Sequence, residues 1–532
     1  MKHHTITTKQ VLSVAAMAFV CVSVISCKDK DINDNGSGTE SKELADEWYA
    51  GGKLGTTFNA TASAYEDPTP AIEEAGLEYQ FKMGEYFFER PYNSSTRPFN
   101  GRGPLYSRPS CESCHCGYGH GWRITKFDPK QWGNATELEI FGDDGELLSF
   151  FSPKFQGMPP FKSYLDPAKV QITWKEYTDD WGNVFPDGER YSLIYPDVKI
   201  PEDAYYVKPS HNGKPVSVSD IHIRLKNAIP FFGNGLIGAI DADSLLKQWQ
   251  REEAHAKLDP SRFKNGQWTA IDSITMEPFR FGHFLDLSTF TWDVQHWANF
   301  NVTRRGHTTI NVTKEYALTA SKDPDIQKVF YQYFPEWKKT GNPEKDIYNY
   351  FTSDKHPIEM EDNDYLNYMV WLRGLAVPAA RNMDSPIVQR GKKLFNEIGC
   401  ATCHRPMWIT GNDQFSYPGD LNIKPNDPRL PHYPKQKIWP YTDLVSHRLY
   451  MKNDVRKGWI RTPPLWGKGL MKVCTGHDDR LYDARARNVI EAIMWHGCSK
   501  EGGVSHARWT TEKFRKLNKD DRHAIVKFIE SI

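Results

Sequence analysis

The chain carries two Cys-x-x-Cys-His motifs, Cys111-Glu112-Ser113-Cys114-His115 and Cys400-Ala401-Thr402-Cys403-His404. Thiols at this spacing, on one turn of chain, reach the two vinyl groups of a single porphyrin and form thioethers. The adjacent histidine is then held beneath the iron. Composition alone predicts only about 0.005 such motifs in a chain of this kind, so chance does not account for two. A zinc site built from two Cys-x-x-Cys pairs keeps the pairs within about 20 residues, whereas these begin at residues 111 and 400. A dithiol redox pair needs no following histidine. The motifs therefore predict two covalently bound c-type haems, attached at Cys111 and Cys114 and at Cys400 and Cys403. His115 and His404 are the expected proximal iron ligands.

The 532 residues suggest about three domains. Lys and Arg number 67 and Asp and Glu number 67, which leaves no basic excess for a nucleic-acid partner. Lys2 and Lys9 precede and enter an apolar stretch over residues 11–26, too short for a confident membrane span. It ends in Val24-Ile25-Ser26-Cys27, which looks like a bacterial lipobox. Residues 1–26 thus read as a signal peptide and 27–70 as a flexible tether lipidated at Cys27. The lipid would hold an exported body to a membrane, facing periplasm or cell surface. Export permits disulfides. Of the cysteines left over, Cys474 and Cys498 can pair.

Hydrophobic periodicity places helices before both motifs. Leu77, Phe81 and Phe88 share one face; Val388, Leu394 and Phe395 share another, after Asp384-Ser385-Pro386 and before Gly399. Further helices are expected over residues 241–253 and 484–495, and after Asn518. Between the motifs, alternation at Val170, Ile172 and Trp174, and at Tyr191, Leu193 and Tyr195, predicts strands. A hairpin is expected around Asp144-Gly145. The resulting expectation is a mainly α fold with two cytochrome c-like haem domains and a β-containing insertion. The first domain takes residues 71–125 and parts of 220–380, the insertion 126–219, and the second domain 381–532.

From about residue 77 onward the chain resembles the bacterial di-haem oxidoreductases, relatives of di-haem cytochrome c peroxidases. The landmarks are Gly103-Pro104-Leu105-Tyr106, Pro186-Asp187-Gly188, Gly235-Leu236-Ile237, Leu375-Ala376-Val377-Pro378, Tyr441-Thr442-Asp443-Leu444 with His447, and Arg461-Thr462-Pro463-Pro464-Leu465-Trp466-Gly467. The resemblance implies an oxidoreductase that reduces hydrogen peroxide at one haem with electrons relayed through the other. A small redox protein would be the donor. The chain departs from the family at Gly238, where members often have Glu, at Tyr482-Asp483-Ala484 in place of His-Asp-Gly, and at Cys116. A wholly electron-transferring cytochrome is the competing expectation, supported by Gly238.

The far side of each iron separates these two. His496 occupies the place of a Met in related peroxidases and is the expected sixth ligand of the second haem, with His477 and Met494 behind it. Such bis-histidine ligation implies a lower potential than Met/His. For the first haem, Asp241, His283 and His296 are the candidate acid/base residues, with His307 a further histidine in the same region. His120 sits too near its motif to cross the ring, and Trp122 is a candidate relay between the haems. His447 is expected near the second haem, in a supporting role.

Overall fold

The computed structural model describes residues 44–91, 110, 112, 115–126, 136–141, 169–205, 210–211, 214–227, 229–260, 262–269, 317–318, 321–353, 362–416, 422–454 and 458–532. Cys27, Cys111, Cys114, His283, His296, His307 and the turn at Asp144-Gly145 lie outside them.

The two helices that lead into the motifs are packed by one device. The first, Glu78–Glu89, crosses the helix Asp362–Gly374 at Gly84. A β-carbon on Gly84 would lie 2.2 Å from the Asn367 carbonyl oxygen and 2.5 Å from the Trp371 β-carbon. The second helix, Pro386–Glu397, crosses Lys519–Ile529 at Gly391. There the added atom would lie 1.9 Å from the Ala524 carbonyl oxygen and 2.8 Å from the Phe528 β-carbon. Each glycine thus rests on a carbonyl and on the aromatic one turn further along the partner helix. Only a residue without a β-carbon allows that approach.

Local sequence explains why these helices form where they do. Pro386 starts its helix with a preset φ, and Gly399 ends the segment at a φ of +97°. Asn518 caps the closing helix by accepting from the Asp521 N–H at 2.9 Å. Ala524, Ile525, Phe528 and Ile529 form its buried face.

The described body is mixed rather than mainly α. Seven two-stranded sheets lie among its helices, several of them pairing segments far apart in sequence, such as Thr56–Thr57 with Val377–Pro378. The alternating segments form an antiparallel hairpin, Gln171–Tyr177 with Leu193–Lys199. The strand at Thr136–Phe141 pairs with His222–Asn227, beyond the expected end of the insertion. Nor does the hairpin fold apart from the rest. Tyr177, Phe185 and Leu193 join the core built on Phe395, Trp495 and Phe528. The tether also ends earlier than residue 70. Thr56–Thr57 runs parallel to Val377–Pro378, and Ala64 and Tyr65 are fully buried.

A buried ion pair ties the helix Asp362–Gly374 to the segment after the second motif. Arg373 donates to both Asp413 oxygens at 2.8 and 2.6 Å, and the Tyr433 N–H donates to Asp413 at 2.7 Å. Burial opposes ionisation of Asp413, but Arg373, His432 and the Tyr433 N–H hold its carboxyl below the usual range.

Gly84→Ala and Gly391→Ala should each cost about 1–3 kcal/mol through overpacking, read as a lowered urea midpoint. A midpoint unchanged by both would contradict the crossings. Asp413 has a depressed folded pKa. Its contribution is therefore present above the unfolded carboxylate value of about 3.9 and lost as pH falls through the folded one. Urea melts from pH 7 to 2 should show a steeper acid-side loss in the parent than in Asp413→Asn.

Candidate functional site

Each motif histidine lies one packing step beyond its glycine crossing. Phe88 stands four residues after Gly84, and its ring centroid is 6.3 Å from that of His115 at 51°. Phe395 stands four residues after Gly391 and is 6.3 Å from His404 at 52°. The His115 Nδ1–H donates to the Ile229 carbonyl at 3.2 Å, and the His404 Nδ1–H donates to the Tyr441 carbonyl at 3.1 Å. Metal-binding histidines use this arrangement. The carbonyl fixes the tautomer and orientation and leaves Nε2 as the ligand atom. The two centres are therefore built alike, although Cys111 and Cys114 lie outside the described residues.

The second centre opens on a cavity of about 1670 Å³, solvent at its mouth included, lined by Cys400, Cys403, His404 and His496 among others. His404 and His496 face each other with ring centroids 6.4 Å apart. The His496 Nδ1–H donates to the Ala492 carbonyl at 2.6 Å. An ion about 2.0–2.1 Å from each Nε2 sets two imidazole centroids about 6 Å apart, so this pair fits an iron between them. Burial lowers the pKa of both rings, His404 to about 4. Both are thus neutral and ready to ligate at pH 7. Burial also pushes the Cys400 thiol up to about 12, with Cys403 adding to it. That is the reverse of the lowered thiol pKa of a reactive dithiol.

The cavity also fits the carboxylates of a porphyrin. Arg461, Lys468 and Arg480 line it. Burial, together with the nearby Arg480 and Arg461, lowers Lys468 to about 7. A lysine in that position gains from an anionic group beside it. The Nδ2 of Asn234, another lining residue, has no hydrogen-bond partner among the described residues.

The two centres share a wall. Ile229 holds His115 through its carbonyl, and Phe231 stacks on His115 at 4.1 Å and 29°. Ile229, Pro230 and Phe232 line the cavity that contains His404. Residues 229–232 thus touch both sides, and no residue pattern in this stretch marked it beforehand.

The distal helix is shorter than expected. It covers only Val489–Trp495, capped by Asn488. Residues 484–488 are held otherwise. Ala484 has a φ of +62°, and Arg485 donates to the Asp483 carboxylate at 2.6 Å. His496 is its C-cap. Cys474 and Cys498, which the sequence left free to pair, do not form a disulfide. The Cys474 thiol donates to the Thr61 carbonyl at 3.6 Å, while Cys498 belongs to the core around Trp495.

Other sequence candidates take supporting positions. His447 is ion-paired with Asp443, its Nε2–H donating to Oδ2 at 2.7 Å, deep beside Cys403. Burial alone would lower the His447 pKa, but the Asp443 carboxylate raises it well above the usual value. Asp241 is exposed and caps the helix Ala242–Glu253, accepting from the Ser244 N–H at 3.0 Å. Trp122 packs edge-on against His477 at 5.3 Å and is not among the cavity-lining residues. His120 does line the cavity, and burial lowers its pKa to about 3. Met494 is fully buried in the core.

Residues 318–532 match the family model described as "Di-haem oxidoreductase, putative peroxidase". The matched part contains Cys400, Cys403, His404 and His496 of the second centre and, from the first, the helix that carries Trp371; the wall at residues 229–232 precedes it. The first motif and Gly238 precede it. No curated protein and no solved structure matches the chain. This match agrees with the resemblance read from the sequence, over the part of the chain it covers.

Removing His447 leaves the Asp443 charge buried without its partner. His447→Ala should therefore cost about 3–5 kcal/mol, measured by urea unfolding. A loss no larger than that of an exposed histidine variant would count against the pair.

Proposed function

We propose that this protein is an exported di-haem c-type oxidoreductase that reduces peroxide at the first haem with electrons relayed through the second. The observation that carries the reading is the His404–His496 pair, set 6.4 Å apart with both Nδ1 atoms committed to backbone carbonyls. Two neutral imidazoles on one iron fill its coordination sphere, which suits a relay and excludes substrate from that metal. The first centre repeats the proximal half of this arrangement around His115. Haem, when bound, supplies the electron storage and the peroxide chemistry. The chain orients the two histidines, keeps them neutral by burial, and offers Arg461, Lys468 and Arg480 as partners for carboxylates.

His283 and His296 remain the proposed acid/base residues of the first centre, with a small redox protein as the donor. Lipidation of Cys27 is the proposed anchor. No described helix is long and apolar enough to cross a membrane. The second reading, an electron carrier with both irons six-coordinate, is favoured by Gly238 and by Asp241, whose carboxylate is engaged as a helix cap.

A pyridine haemochrome spectrum should give two c-type haems per chain, and one haem should turn high-spin or bind cyanide in the half-reduced protein. Wholly low-spin spectra in every redox state would establish the carrier instead. His496→Met should raise the potential of the second haem by on the order of 100 mV. An unchanged potential would remove His496 from the iron.

A further inference from the structure

His496 closes a helix of only seven residues, Val489–Trp495. So short a helix does not hold its own end rigidly. What holds the segment is the hairpin Gln171–Tyr177 with Leu193–Lys199, through its final strand residue and the loop that follows. Tyr177 stacks on Trp495 at 4.8 Å and 29°, one residue before His496. Trp181 and Thr511 cover Gly497, one residue after it. A β-carbon on Gly497 would lie 2.6 Å from Trp181 Cη2, and 2.8 Å from both Trp181 Cζ3 and Thr511 Cγ2.

Two guanidinium groups contact the Trp181 ring, Arg508 at 4.5 Å and Arg515 at 4.4 Å from its centroid. Arg508 also donates to the Gly497 carbonyl at 2.7 Å and to Asp180. Ser499 donates to the same Asp180 carboxylate. Lys500 donates to the carbonyls of Thr178 at 3.0 Å and Asp179 at 2.8 Å. Residues 495, 497, 499 and 500 are therefore each tied to residues 177–181. Far along the loop, Arg522 donates to Asp187 and Glu189 at 2.7 Å each and fixes the hairpin to the closing helix.

We infer that Trp181 is a positioning residue for His496, and that the hairpin serves as a latch holding the sixth ligand on the second iron. This rests on the relay reading above. The latch supplies the rigidity that the short helix lacks, and Trp181 presses on the one residue between His496 and the Cys498 core. Losing the ring loosens Gly497, which Thr511 and the Arg508 hydrogen bond still contact, and His496 then competes less well for the metal.

The test uses the full-length holoprotein and carbon monoxide as the probe. In the parent, the ferrous second haem should bind almost no carbon monoxide. Trp181→Ala should raise the fraction that binds about tenfold and introduce a high-spin ferric signal. Trp181→Phe, which keeps a ring over Gly497, should restore the parent spectrum. Asp180→Asn, which loosens the same segment from its other side, should give a smaller increase and serves if Trp181→Ala fails to load haem.

His496→Ala separates the two layers. If it leaves the second haem low-spin and closed to carbon monoxide, the relay reading itself fails, and the latch with it. If it opens the haem while Trp181→Ala and Asp180→Asn, fully loaded, stay closed, the latch alone is refuted. Equal opening by Trp181→Ala and Trp181→Phe would also overturn it, because the ring would then have no positioning role.

Discussion

The close crossing of two helices at a glycine determines where each motif histidine sits. At Gly391 the backbone of one helix rests on the Ala524 carbonyl, and at Gly84 on that of Asn367. Contact at this distance fixes the rotation of the motif helix about its axis. It therefore fixes the direction in which the aromatic four residues later projects. Phe88 and Phe395 then pack against His115 and His404 with nearly the same separation and angle. A larger residue at either glycine would push the helices apart and carry the histidine with them. The equivalence of the two centres follows from helix packing, before any cofactor is considered.

Much of this was legible in the sequence because it is local. Each motif is a run of five residues, Pro386 and Asn518 each act on the helix they begin, and Val388, Leu394 and Phe395 share one helix face. His496 was singled out because it closes a helix at the place a Met holds in related peroxidases, and the structure sets its ring 6.4 Å from that of His404. The Gly-x-x-x-Phe spacing repeated before both motifs was present in the sequence as well. Gly84 and Gly391 become informative only when the two segments are set side by side.

What sequence reading missed is long-range or carried by the backbone. The carbonyls of Ile229 and Tyr441 that orient the proximal histidines have no side-chain signature. Helix pattern carried the distal helix back to residue 484, because Val489, Ile490 and Ile493 set a face that the preceding residues do not interrupt. The Asp483–Arg485 pair and the left-handed backbone at Ala484 stop it sooner. The mainly α expectation erred for a similar reason. Two-residue ladders such as Trp408–Ile409 with Lys437–Ile438 depend on partners brought together by the whole chain. Cys474 and Cys498 looked like a pair only because both were left over; their neighbourhoods are different.

The wall at residues 229–232 has a bearing on how such a protein can change over time. One stretch of backbone orients His115 on one side and shapes the cavity of His404 on the other. A substitution that shifts it to suit one centre moves the other as well. The two centres therefore do not drift apart as independent modules would. Each constrains the sequence available to its neighbour, and adaptation at one is felt as a structural load at the other.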